Sequence, residues 1–310
     1  MKAELRARFG NTVTSNDLWN YNREYFNRAT KGELTKIRRG VWNLTGDDEN
    51  VTILPVNEVV NADMIRERFE VLGLLANGVV EGNIRSLIIS GAPGVGKTHE
   101  LERKLKNAER SNKIISYVSI KGSISPIGLY EALYNNCEKG QVVVLDDLDS
   151  VFDNEETLNI LKAALDTGTK RIISWAKASR FLADSDIPRS FEYCGQIVFI
   201  TNTDPDRVIA KGGRLAPHMN ALVSRSVFLD LCIHDNESIM VRVEQVLRES
   251  ELADDLDIDE DAVGAIIEWM HQNVKRLRSL SIRTVIQLAS YIKTSEDWKK
   301  LATATMLRPN

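Results

Sequence analysis

Cysteine is scarce in this 310-residue chain. Cys137, Cys194 and Cys232 stand far apart, with no CxxC pair and no matching histidine cluster. That excludes a disulfide framework and a zinc site of ordinary spacing, and it fits a reducing compartment. The three thiols read as small packed hydrophobes. No apolar run approaches the roughly 20 residues needed to span a bilayer. The opening MKAELRARFG lacks the hydrophobic core of a signal peptide. The expectation is a cytoplasmic protein with no membrane partner. Internal repeats and low-complexity stretches are also missing. A net charge of -4 argues against a general coat of positive charge for non-specific nucleic-acid binding. Charge is nonetheless uneven: residues 1–40 are net basic, and ESELADDLDIDEDAVG (249–264) is strongly acidic.

What is present is an ordinary globular composition, 43% hydrophobic and 27% charged. Such a chain can bury a sizeable core in one large or two moderate domains. Residues 1–50 are polar with scattered aromatics and read as an extension that makes no compact core alone. From residue 62, ADMIRERFEVLGLLANGVV carries apolar residues at helical spacing, with Asn61 available as a cap. Three β-branched apolar segments follow: SLIIS (86–90), KIISYVSI (113–120) and QVVVLDD (141–147). QIVFITN (196–202) makes a fourth and SVFLDL (226–231) a fifth. Continuous apolar strands alternating with helices predict a parallel sheet covered on both faces. After residue 235 the pattern is helical only, over roughly 236–250, 259–273, 281–293 and 295–305. The expected organisation is a basic extension (1–55), an α/β core (56–234) and a small all-α lid (235–310).

GAPGVGKT (91–98) matches G-x-x-x-x-G-K-[ST] between a strand and a helix. Glycines let backbone N–H groups of Gly94, Val95 and Gly96 turn toward phosphate, with Gly91 opening the loop. The following helix adds its positive dipole end. Lys97 is placed to reach the β- and γ-phosphates of ATP, and the Thr98 hydroxyl to ligate Mg²⁺. About fifty residues on, VVVLDDLDS runs four apolar residues into acids. That puts Asp146 at the carboxyl end of an interior strand, beside the phosphate loop, as a Mg²⁺ ligand. Asp147 stands where a carboxylate can orient and polarise water, and Asp149 reads as a cap or an ion-pairing group.

With these two motifs in order, the chain from about residue 60 onward resembles the AAA+ P-loop ATPases. The resemblance implies a five-stranded parallel sheet, a helical lid, and assembly into a homo-hexamer or other ring. FITN (199–202) resembles the sensor-1 strand end, which makes Asn202 a holder of water or γ-phosphate. HMNALVSRSVFLDL (218–231) resembles the arginine-finger segment, with Arg225 reaching a neighbouring subunit's site and Arg214 the runner-up. SLSIRTVIQLASYI (279–292) resembles the sensor-2 helix, with Arg283 facing the γ-phosphate. Many family members carry glutamate where this chain has Asp147. Aspartate is shorter by roughly 1.5 Å, so the resemblance implies slow or partner-dependent turnover. Initiator and helicase-loader branches also pair aspartates there.

The load is less legible. SIKGSISP (119–126), a loop that could enter a ring's channel, offers Lys121 but no aromatic–hydrophobic–glycine triplet of the kind protein unfoldases share. DTGTKRIISWAKASRFLADSDIPRSFEYCG (166–195) offers Lys170, Arg171 and Trp175 on one arm of an inserted hairpin, suited to phosphate contact and base stacking. Equally, Trp175 can pack in the core and the cations form a solvated face. Three readings stay open. A ring engages nucleic acid as a helicase, helicase loader or packaging accessory, in keeping with a resemblance to bacteriophage ATPases. Alternatively the ring remodels a protein complex, with the N-terminal residues as adaptor. The third is a nucleotide-gated assembly factor.

Overall fold

The computed structural model describes residues 62–147, 154–213 and 215–309, with Leu5 and three short strands before them. Asn61, Asp149 and Arg214 lie outside the described residues, and with them the cap suggested for the helix at 62 and the runner-up finger. The chain divides into two units, Met1–Val59 and Val60–Asn310. In the first, β1 (Thr12–Thr14), β2 (Thr35–Arg38) and β3 (Val41–Asn43) pair antiparallel in the order β1-β3-β2. Sequence reading assigns no strand here, because segments of three or four residues are too short to display alternation.

The second unit opens with α1 (Ala62–Val80), whose buried Ile65, Phe69, Leu72, Ala76 and Val79 recur every three or four residues. The sheet strands are β4 (Ser86–Ser90), β5 (Ser116–Lys121), β6 (Gln141–Asp146), β9 (Gln196–Thr201) and β10 (Val227–Asp230). They lie parallel in the order β10-β4-β9-β6-β5. Between them run α2 (Lys97–Arg110), α3 (Pro126–Asn135) and α4 (Glu155–Ala164). Then come a hairpin of β7 (Ile172–Ser174) and β8 (Ser190–Glu192) around α5 (Arg180–Asp184), and finally α6 (Pro205–Lys211) and α7 (Ala216–Val223).

Side chains on a strand alternate between its faces, and here the alternation divides the core in two. Leu87, Ile89, Val142, Val144, Val198 and Ile200 join the cluster that includes α1 and α2. Ile88, Val143, Leu145, Ile197 and Phe199 join the opposite cluster, with α3 and α4. The sheet is therefore buried on both faces, which is why its strands read as unbroken apolar runs. The strands that carry the two motifs are not neighbours in space. The strand carrying the phosphate loop, β4, is separated from β6 by β9.

Beyond β10 the unit is helical: α8 (Asn236–Glu249), α9 (Leu252–Asp255), α10 (Glu260–Asn273), α11 (Ile282–Thr294) and α12 (Trp298–Met306). Asp235 starts α8 through a reciprocal capping box, its carboxylate accepting from the Ser238 backbone N–H at 2.8 Å. Asp259 caps α10 by a single bond, accepting from the Ala262 backbone N–H at 2.8 Å. Among the described residues no helix is long and apolar enough to cross a membrane.

The inserted hairpin exists, but two of its expected polymer-contacting side chains turn inward. Arg171 is 5% exposed and donates to the carbonyls of Ala164 at 3.1 Å and Gly195 at 2.7 Å, with its guanidinium 4.9 Å from the Tyr193 ring centroid. Trp175 packs against Tyr130, ring centroids 5.7 Å apart, on the edge of the second core cluster. Lys170 remains exposed, 4.0 Å from the Glu192 carboxylate. Arg171 thus ties the hairpin root to the sheet by filling two buried carbonyls. Arg171→Met should lower unfolding stability by about 2 kcal/mol. Denaturant unfolding monitored by circular dichroism checks this, and a surface role would leave the midpoint unmoved.

Candidate functional site

The loop between β4 and α2 closes over the carboxyl ends of the parallel strands. Gly94 has φ of 71°, in the left-handed region, and a Cβ built on it would lie 2.7 Å from the Ser281 Cβ. Both facts require glycine there. The contact has a purpose in the fold, since the Ile282 backbone N–H donates to the Gly94 carbonyl at 2.9 Å. The first turn of α11 is thereby seated on the phosphate loop. Arg283 follows immediately, exposed on the wall of the same cleft.

Lys97, at the first position of α2, is 5% exposed. Its Nζ donates to the carbonyls of Gly91 at 2.6 Å and Ala92 at 2.8 Å, and to Asn202 Oδ1 at 2.9 Å. Asn202 directly follows β9, the strand interposed between β4 and β6, and its Nδ2 donates to Asp147 Oδ1 at 2.7 Å. One amide therefore joins the lysine of the loop to the second acid of the aspartate pair. Asp147 itself has φ of 55°, and its backbone N–H donates to the Ile200 carbonyl at 2.9 Å. That left-handed turn carries the carboxylate away from β6 and toward Asn202. Aspartate tolerates the conformation better than most residues.

Thr98 donates through Oγ1 to both oxygens of Asp146, each at 3.1 Å. Parallel pairing of β5 and β6 sets Lys121 opposite Asp146. The Lys121 ammonium stands 2.9 Å from Glu102 Oε1 and 3.4 Å from Asp146 Oδ2. Its pKa is raised, chiefly by the hydrogen bond to Glu102, against an opposing effect of partial burial. Lys121 thus belongs to the cleft wall, and only the residues after it, from Gly122, form the loop that was expected to reach a channel.

These groups face an open cleft of about 970 Å³. The structure brings together Gly94, Gly96, Lys97, Thr98, Asp146, Asp147, Asn202 and Arg283 around it; Gly91 and Val95 complete the loop. Arg225 is elsewhere. It lies half-buried between α7 and β10, with Nη1 donating to the Ala221 carbonyl at 2.8 Å. Arg242 of α8 is a cleft residue that sequence reading missed. Its signal in the pattern is weak: it flanks the apolar stripe of α8, between Ile239 and Val246 at helical spacing.

The Lys97–Asn202–Asp147 bridge generates a prediction for the free protein. Asn202→Leu removes one acceptor from a buried ammonium and one donor from Asp147. Stability should fall by about 1–3 kcal/mol, measured as a lower thermal midpoint without added ligand. An unchanged midpoint would show that the bridge carries no weight.

No protein-family model matches the chain. It is 47% identical over 277 residues to an uncharacterised 36.7 kDa protein of Enterobacteria phage T4, encoded in the nrdC-mobD intergenic region. The match covers 87% of this chain and 84% of that protein. Among solved structures it is similar to NtrX from Brucella abortus in complex with ADP, at TM-score 0.44 and 17% identity. That alignment covers 74% of this chain and 50% of that one, so the chain spans about half the length of NtrX. It is also similar to C. elegans PCH-2, at TM-score 0.35 and 14% identity over 77% of this chain and 64% of that one. A third is the DnaC helicase loader, at TM-score 0.27 and 18% identity over 51% and 86% respectively. Relationship to the phage protein is close and nearly full-length, and the sheet order, phosphate loop and trailing helices are observed directly. The chain belongs to the family of that phage T4 protein, and its five-stranded parallel sheet, phosphate loop and trailing helices are the architecture that the resemblance to AAA+ P-loop ATPases led one to expect.

Proposed function

We propose that the chain binds ATP with Mg²⁺ in this cleft, hydrolyses it at the subunit interfaces of a homo-oligomeric ring, and uses the cycle to remodel nucleic acid. One observation carries the ATPase reading: a single cleft joins Lys97 to Asp147 through Asn202 and holds Thr98 against Asp146. The donor set fits the ligands. Thr98 and Asp146 present hard oxygens of the kind Mg²⁺ takes, and the loop's glycines leave backbone amides free of side-chain cover. Bound Mg²⁺ supplies neutralisation of charge on the β- and γ-phosphate oxygens.

The remaining steps fall to the chain's own groups. Lys97 exchanges a carbonyl acceptor of the loop for a phosphate oxygen. Asp147 accepts a hydrogen bond from the attacking water and polarises it, with Asn202 fixing the carboxylate's direction. Arg283, on the helix seated at Gly94, adds positive charge from the lid. Arg225, outside its own cleft, is free to act on the neighbouring subunit's nucleotide.

For the load, nucleic acid is supported by the exposed cations around the hairpin, Lys170, Lys177, Arg180 and Arg189. A second reading, remodelling of a protein complex, is favoured by the inward turn of Arg171 and Trp175, which removes the base-stacking platform. Turnover measured alone and with single-stranded DNA, double-stranded DNA, RNA or an unfolded protein separates them. Stimulation by nucleic acid that disappears with salt supports the first. Stimulation by protein alone discards it.

Lys97→Ala should abolish nucleotide binding, while Asp147→Asn should keep binding and stop hydrolysis. Unchanged hydrolysis by the second variant would refute the role given to Asp147. Arg225→Ala should cost on the order of 10³-fold in turnover with little change in ATP affinity. Mixing it with Asp147→Asn subunits should restore part of the activity if the arginine works in trans. A mixture as inactive as its components would rule that out.

A further inference from the structure

Arg242 is a cleft cation with no role in the reading above, and its surroundings are unusual. The guanidinium sits over the ring of Phe69 of α1, with its central carbon 3.4 Å from the ring centroid. Nε donates to the Val95 carbonyl of the phosphate loop at 3.4 Å. A Cβ built on Gly96 would lie 4.0 Å from Nη2. So the side chain reaches from the helical region back to the loop itself. Burial, opposed weakly by Glu100 and Glu249, pushes its pKa down to about 10.

Neither of those acids hydrogen-bonds to it. Glu249 is taken by Arg66 through two bonds, at 2.6 and 3.2 Å. Glu100 is taken by Arg103, at 2.7 and 3.0 Å. Among the described residues no protein acceptor meets either terminal nitrogen of Arg242. A guanidinium offers five N–H donors in a rigid fork. Here only Nε has a protein acceptor among the described residues, the nearby carboxylates are engaged by other arginines, and the side chain lines both the cleft and a smaller cavity beside Phe69. Desolvating a cation without a counter-charge is unfavourable. An anion arriving in the cleft relieves that cost, and the planar fork suits phosphate oxygens better than a lysine would.

We infer that Arg242 is a second phosphate-binding cation of the cleft, contributed by α8 rather than by the phosphate loop. The inference rests on the proposed ATP site and deepens it. Phe69 acts as the platform under the guanidinium, since a cation over an aromatic face keeps a favourable partner while staying away from water. The consequence is a link between ligand and fold. The nucleotide is held from the loop by Lys97 and from the first helix beyond the sheet by Arg242, so release of phosphate loosens α8 from the loop.

The test uses the full chain and measures ATP and ADP affinity by calorimetry, beside the melting temperature of the free protein. Arg242→Met should weaken both nucleotides by about 10- to 100-fold, the loss expected for a charge-assisted hydrogen bond. Its melting temperature without ligand should stay the same or rise, because a partly buried charge with no hydrogen-bonded carboxylate has been removed. Arg242→Lys should recover part of the affinity. Arg242→Met binding ATP within twofold of the parent, while Lys97→Ala binds none, would overturn the assignment. Should the methionine variant not fold, Arg242→Lys decides: threefold or weaker ATP binding supports the role, and parental affinity overturns it. Parental ATP binding by Lys97→Ala is a different failure, which removes the nucleotide reading and this assignment with it.

Discussion

A lysine ammonium taken out of water needs acceptors, and the site is arranged around that need at Lys97. Two come from the loop's own carbonyls, Gly91 and Ala92, and so fix the loop's curvature. The third comes from Asn202, at the end of a different strand. Because β9 lies between β4 and β6, the amide that satisfies the lysine can also reach Asp147. The order of strands in the sheet thus becomes a hydrogen-bonded line across the cleft floor. A different strand order would leave the two motifs without their intermediary.

The helical region is joined to that floor at two places. The start of α11 rests on Gly94 through a backbone hydrogen bond, where any side chain would collide with Ser281. Farther along the loop, Arg242 brings α8 to Val95 and to Phe69 of α1. Both contacts fall on the loop that is proposed to hold phosphate. Movement of the loop and movement of the helices are therefore coupled by packing, without need of a distant relay. Within the α/β part itself, Lys121 ties α2 to β6, and the ammonium shared by Glu102 and Asp146 directly precedes the 122–125 loop.

Much of this was legible beforehand. The three interior strands announced themselves because burial on both faces demands unbroken apolar runs, and SLIIS coincides with β4 residue for residue. GAPGVGKT needed no structure, since phosphate chemistry restricts both its residue types and its spacing. The hairpin side chains stayed ambiguous for a physical reason. Arginine and tryptophan suit a polymer-binding surface and a buried anchor equally well, and composition does not report which way a side chain points. Arg171 found two carbonyls and Trp175 found Tyr130. The N-terminal strands were invisible because three residues contain no period.

The sequence by itself determined the class of chemistry and the ladder of strands, because both are written in local pattern: glycine spacing, apolar runs and acids at a strand end. Tertiary structure alone decided which groups meet. Asn202 between Lys97 and Asp147, Lys121 opposite Asp146, and Arg242 on Phe69 all join residues more than twenty positions apart. Such pairings depend on strand order and helix seating, which follow from the packing of the whole core and leave no short-range trace in the chain.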